Sequence, residues 1–164
     1  MVNLTEIKNS LKTILTAANT TTGSPIDLSL NLQDRVESVM TYNPDRFLTQ
    51  PSLYPFVTVY IEDKEVEQIT FAKNQTMAKR RGRTALTVAC GTWRSTVNDN
   101  VIDDSDDELE LLMENVEQII RSNHTANSYT SWIMPIRATY HNANFGEESH
   151  LRVGIIEFEL SNFY

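Results

Sequence analysis

Phe56-Val57-Thr58-Val59-Tyr60-Ile61 is the stretch on which the fold turns. Every residue in it is β-branched or aromatic, a composition that suits a pleated, half-buried surface, so it predicts a strand. Working outward, Glu65 to Phe71 predicts a second, weaker strand. Arg83 to Trp93 alternates, with Leu86, Val88 and Cys90 on one face and Ala85, Thr87 and Ala89 on the other. Two strands close the chain. Trp132, Met134, Ile136, Ala138 and Tyr140 are predicted to share one face, and Pro135 inside that run marks an edge strand or a bulge. Leu151 to Leu160 is the last strand; its apolar parity shifts between Ile155 and Ile156, as a bulge or burial on both faces would produce.

Two helices flank the strands. Asn3 and Glu6 have the spacing of a capping box. Leu4, Ile7, Leu11, Ile14, Leu15 and Ala18 then recur at helical spacing, and the run stops in Asn19-Thr20-Thr21-Thr22-Gly23. For the second helix, Ser105 is the expected N-cap with Glu108 three residues on, and Asp106, Asp107 and Glu108 lie against the positive end of the dipole. Leu109, Leu112, Met113, Val116, Ile119 and Ile120 form its apolar stripe. Residues 24–54 read as an irregular crossing segment or arm. Leu28, Leu30, Leu32, Val36, Val39 and Met40 fit a short amphipathic helix, and Pro44, Pro51 and Pro55 interrupt the rest. The pattern predicts one α+β domain over residues 1–164: a mostly antiparallel sheet of four to five strands with two amphipathic helices packed on it.

The 164 residues suffice for one real core, and 40% apolar with 22% charged residues is the balance of a globular chain. A net charge of −8 disfavours nucleic acid and anionic membrane as partners, unless a local basic patch overrides it. Cys90 is the only cysteine, so no intrachain disulfide forms and a reducing compartment is expected. The first ten residues lack a secretion-signal pattern, and no apolar run is long enough to span a bilayer.

Candidate sites are few. The acidic run Asp103, Asp104, Asp106, Asp107, Glu108 has Glu114 at the twelfth position of a calcium loop, but Glu108 stands where the turn glycine is needed, which favours helix capping. His124, His141 and His150 lack zinc spacing, and neither a nucleophile elbow nor a phosphate loop occurs. No enzyme activity, metal or cofactor is expected. The unusual local feature is basic: Lys73, Lys79, Arg80, Arg81 and Arg83 fall in or beside Ala72 to Gly82, read as a loop. It suits a solvated surface, an acidic protein partner, or phosphate, though the interleaved aromatics of a single-strand binder are missing. His141 to His150, containing Asn144, Phe145, Glu147 and Glu148, is too long for a tight turn and is expected to project as a second partner-facing loop.

The run Tyr54-Pro55-Phe56-Val57-Thr58-Val59-Tyr60-Ile61-Glu62-Asp63 with Lys64-Glu65-Val66-Glu67 resembles the tail terminator (minor tail, tail-completion) family of long-tailed bacteriophages. So does the order that follows it: a basic loop, the strand Thr84 to Trp93, an acid-capped helix, and a closing hairpin ending in Phe158-Glu159-Leu160. The resemblance covers roughly residues 50–160 and departs from the family's pattern in the long segment 20–54. It implies a structural virion protein of the neck, assembled in the host cytoplasm. Such proteins form a homo-oligomeric ring, usually a hexamer, at the head-proximal end of the tail tube. The ring stops polymerisation of the major tail tube protein and offers a surface to the head-closure (stopper) protein. The family carries no active site, contacts no membrane and recognises no specific nucleic acid, genomic DNA meeting it only in the ring lumen. A head-closure or adaptor protein of the neck is the alternative within the class. A small enzyme with dispersed carboxylates, or a nucleic-acid-binding accessory protein using Lys79 to Arg83, are the alternatives outside it.

Overall fold

Helix α1 (Leu4–Thr20) starts where the Asn3 side chain accepts hydrogen bonds from the backbone N–H groups of Thr5 (3.1 Å) and Glu6 (3.4 Å), satisfying two donors that the first turn leaves free. Ile7, Leu11 and Leu15 are fully buried along its inner stripe; Leu4, Ile14 and Ala18 flank them. The computed structural model describes residues 3–20, 36–46, 48–68, 80–94, 99–127, 132–144 and 150–163. The other elements are β1 (Ser38–Met40), β2 (Phe56–Gln68), β3 (Arg80–Arg94), α2 (Asp99–Ser122), β4 (Trp132–Asn144) and β5 (His150–Phe163).

The five strands form one sheet in the order β1-β2-β3-β5-β4, antiparallel except for the β1–β2 pair, and the class is α+β as expected. Helix α2 lies over β3 and β5, and α1 over β2. All six residues of the α2 stripe are buried, and they meet Val57, Val59, Leu86, Val88, Ile156 and Phe158 from the sheet. Each such side chain contributes about 1.5–3 kcal/mol by leaving water. The helices are tied to each other just beyond α2: the Ser10 hydroxyl donates to the Ala126 carbonyl (3.0 Å) and accepts from the Asn127 amide (2.9 Å).

Several boundaries differ from those read off the sequence. Helix α2 begins at Asp99, so Ser105 lies inside it and is not its cap. Asn98, Asp99 and Asn100 are cap-forming residue types upstream, and a nucleated helix gains one hydrogen bond with each residue added. Of the second strand expected over Glu65 to Phe71, Glu65 to Gln68 continue β2 past a bulge at Glu62, and residues 69–71 lie outside the described residues. Val39 and Met40 belong to strand β1, not to a helix, because a neighbouring β2 edge supplies ladder partners that outweigh local propensity; Leu28, Leu30 and Leu32 lie outside the described residues. The parity shift in β5 reflects burial on both faces, since its register with β3 is unbroken: Ile156 enters the main core and Ile155 the opposite face.

That opposite face carries a second, smaller apolar cluster. Phe56, Tyr60, Ala89 and Leu151 are covered by Met40, Leu48, Leu53 and Tyr54 from the crossing segment. Tyr54 packs edge-on to Phe56 (4.9 Å, 71°) and donates its hydroxyl to the Leu48 carbonyl (2.8 Å). The segment is therefore a cover for the sheet's outer face, pinned also by the Thr58 hydroxyl donating to the Tyr42 carbonyl.

Burial pushes the Cys90 thiol and the Tyr54 phenol up, and burial together with Glu62 and Asp45 pushes Tyr60 up to about 12. All three are neutral in the fold, whereas the unfolded chain ionises them near 9.0 and 10.0. Their contribution is complete below those values and is lost as pH rises towards the folded ones. The urea midpoint is expected to fall between about pH 8 and about pH 11; equal midpoints would contradict the burial of these groups.

Candidate functional site

Strand β4 is at the edge of the sheet, and among the described residues it pairs only with β5. Its register explains what it exposes. Pro135 stands opposite Phe158 and Arg137 opposite Glu157, so Ile136 is the extra residue of a bulge. Both expectations for Pro135, edge and bulge, hold. The bulge also overturns one: Trp132, Met134, Ile136, Ala138 and Tyr140 do not share a face. Trp132 and Met134 lie on the outer face with Ser161 and Glu159, whereas Ala138 and Tyr140 lie on the helix face with Ile156 and Gly154. Tyr140 faces α2, where partial burial and then Glu110, Glu114 and Glu117 raise its phenol pKa.

Trp132, Met134, Ile136 and Tyr140 are each about half exposed, at 49%, 52%, 59% and 50%. Only Tyr42 and Leu111 are comparable among the described large apolar side chains. Half-exposed apolar side chains along one edge strand, Trp132 and Met134 on its outer face and Tyr140 on its helix face, suit contact with another protein. Arg137, paired with Glu157, is the charged residue beside it. The His124 and Trp132 rings lie 4.4 Å apart, tilted by 45°.

The sites expected from the sequence are dispersed. Arg80 and Arg81 belong to β3, not to a loop, Arg83 lies in β3 as expected, and the backbone register sets Arg81 opposite Glu67 and Arg83 opposite Glu65. The hairpin continues past the apolar pattern because backbone ladder hydrogen bonds need no apolar side chain. Lys73 and Lys79 lie outside the described residues. The second expected loop is shorter than read: Asn144 ends β4 opposite His150, and Phe145, Glu147 and Glu148 lie outside the described residues. The polar pattern of His141 to Asn144 hides a strand because ladder hydrogen bonds need no apolar side chain. The acidic run lies within α2, so its backbone is helical rather than that of a calcium loop. Asp106 instead pairs with Arg152 of β5, joining α2 to the sheet.

A cavity of about 330 Å³ on the outer face escaped sequence reading altogether. Leu48, Tyr60 and Val153 line it, with Asp45, Glu62 and His141 also present. Carboxylates around an apolar floor suit the amphipathic side chain of a lysine or arginine. Among the described residues, no three His, Cys, Asp or Glu side chains gather within reach of one metal ion, and no helix is long and apolar enough to cross a membrane.

No protein-family model matches the chain, and no curated protein does. Among solved structures, the chain is similar to one described as "Virion of native gene transfer agent (GTA) particle", at 8% identity, covering 95% of this chain and 98% of that one, with a TM-score of 0.34. A likeness of that size carries no assignment of function.

Proposed function

We propose that this chain is a structural subunit of a phage neck, whose copies join side by side into a ring that ends the tail tube and receives the head-closure protein. The open, apolar edge of β4 carries this reading. Native proteins blunt edge strands by shortness, charge, cover, proline or a bulge; β4 carries the last two at Pro135 and Ile136, but it runs for 13 residues and exposes Trp132, Met134 and Ile136. An edge of that kind is used by pairing with another chain. The tail-terminator resemblance supplies the setting, and a head-to-tail contact repeated around an axis closes into a ring. Six copies is the number that the resemblance implies.

The test is a double substitution, Met134→Lys with Ile136→Lys. Both positions are exposed, so thermal stability is expected to stay near that of the wild type. In a complementation assay the variant is expected to leave heads unjoined and tails of uneven length in the lysate. Normal infectious particles carrying the double variant would remove the β4 edge as the assembly surface.

A further inference from the structure

The outer-face cavity is assembled from three parts of the chain. The crossing segment gives Asp45 and Leu48, β2 gives Tyr60 and the bulge residue Glu62, and the β4–β5 hairpin gives His141 and Val153. The floor is apolar and belongs to the second cluster: Tyr60 is buried in it, and Leu48 and Val153 pack half-buried against it. The mouth is anionic. Asp45 and Glu62 are exposed there. Both stand close enough to the Tyr60 phenol to add to the rise that burial causes, which takes it to about 12. Glu157 acts on Tyr60 in the same direction, but it is ion-paired with Arg137. Among the described residues, neither Asp45 nor Glu62 has a Lys or Arg partner, and no Lys or Arg lines the cavity.

We propose that this cavity receives an arginine side chain projecting from a partner protein. A volume of about 330 Å³ corresponds to about eleven water molecules, room for one long side chain and at the small end of ligand sites. A side chain that lays an apolar stem on Leu48 and Val153 and holds a cation between Asp45 and Glu62 satisfies floor and mouth together. Arginine suits the mouth better than lysine. Its planar guanidinium carries five donors and can serve two carboxylates that come from different elements, whereas an ammonium is compact and strongly hydrated. Arginine is also the cation more often found against aromatic rings such as that of Tyr60. Phosphate or a carboxylate would be repelled by the same mouth, and a net charge of −8 attracts a basic partner from a distance.

The surroundings favour a protein as the source of the cation. His141 belongs to β4, whose outer face also carries the half-exposed Trp132 and Met134. A protein lying along this side of the sheet meets both the cavity and that apolar surface, whereas a free amine uses the cavity alone. The inference goes beyond the ring reading and does not depend on it.

The experiment is a nuclear magnetic resonance titration of the full-length, methyl-labelled chain with three probes: the capped tripeptide Ala-Arg-Ala, the same peptide with norleucine in place of arginine, and putrescine. The arginine peptide is expected to shift the Leu48 and Val153 methyl signals saturably and to leave Leu112, in the main core, unmoved. The norleucine peptide is expected to bind about tenfold more weakly, since it lacks the charge-assisted hydrogen bonds. A chain carrying Asp45→Asn with Glu62→Gln is expected to lose the arginine peptide by a similar factor with its thermal midpoint unchanged, both positions being exposed. No saturable shift at Leu48 and Val153, or equal affinity for the norleucine peptide or in the double variant, would overturn the inference. Tighter binding of putrescine than of the arginine peptide would give the cavity to a free amine and overturn it too. Each of these failures leaves the β4 edge reading standing, because that reading is tested by Met134→Lys with Ile136→Lys.

Discussion

Replacing Leu112 with alanine is expected to lower the unfolding free energy by about 2–5 kcal/mol. Leu112 is fully buried in the middle of the α2 stripe, within the cluster that contains Val57, Val59 and Val88. Truncation removes its transfer free energy and leaves a cavity that the sheet below is too regular to fill. Helix propensity does not offset this, because alanine gains only a few tenths of a kcal/mol over leucine. Ile119 is expected to behave alike, at 2% exposure in the same cluster. For a domain of this size each kcal/mol moves the thermal midpoint by about 2–4 °C, so scanning calorimetry resolves the effect. A wild-type midpoint for either variant would mean that α2 does not pack on the sheet as described.

Gly91→Val is expected to destabilise at least as much by the opposite route. A Cβ added at Gly91 would come within 2.3 Å of the Phe56 ring. Phe56 is fully buried beneath Tyr54, so the ring has nowhere to move. Overpacking of a closed site costs about 1–3 kcal/mol even for a single methylene, and valine adds more. Because Gly91 pairs with Phe56 in the β2–β3 ladder, backbone relief would break the register that the rest of the sheet follows. The cause is checked by a double-mutant cycle. Phe56→Leu in the Gly91→Ala background is expected to restore part of the loss that Gly91→Ala causes alone, giving a coupling of about 0.5–3 kcal/mol. Additive effects would show that Phe56 is not the obstacle. Gly154→Ala is expected to cost less: the atoms in the way belong to Met113, whose unbranched side chain can shift.

The long periodic elements were legible because their signals are local and repeated. The α2 stripe from Leu109 to Ile120 and the alternation of Leu86, Val88 and Cys90 against Ala89 hold residue by residue. Pro135 was legible as an edge and a bulge because a missing donor has few places in a sheet. What failed was non-local or degenerate. The start of α2 was misplaced because Asn98, Asp99 and Asn100 carry the same capping chemistry as Ser105. The β2–β3 hairpin was cut short because its outer part, Glu65 to Gln68 with Arg80 to Arg83, continues the backbone ladder without an apolar alternation in the sequence. Strand β1 has three residues and takes its partner from far along the chain. The outer-face cavity joins Asp45, Tyr60, His141 and Val153, which no local pattern connects.

The basic segment changes meaning for the same reason. In sequence, Arg80, Arg81 and Arg83 form a charged run available to a partner. In the fold, Arg81 and Arg83 stand opposite Glu67 and Glu65.

Direct counting of copies at the neck tests the central claim. Symmetry-resolved electron microscopy of particles, or native mass spectrometry of the complex released from tail tubes, would give the number and arrangement of copies. The account predicts one closed ring, six copies of the 18.7 kDa chain, with the β4 edge of each copy inside the contact with its neighbour. Copies present singly, or a ring in which every β4 edge faces solvent, would contradict it.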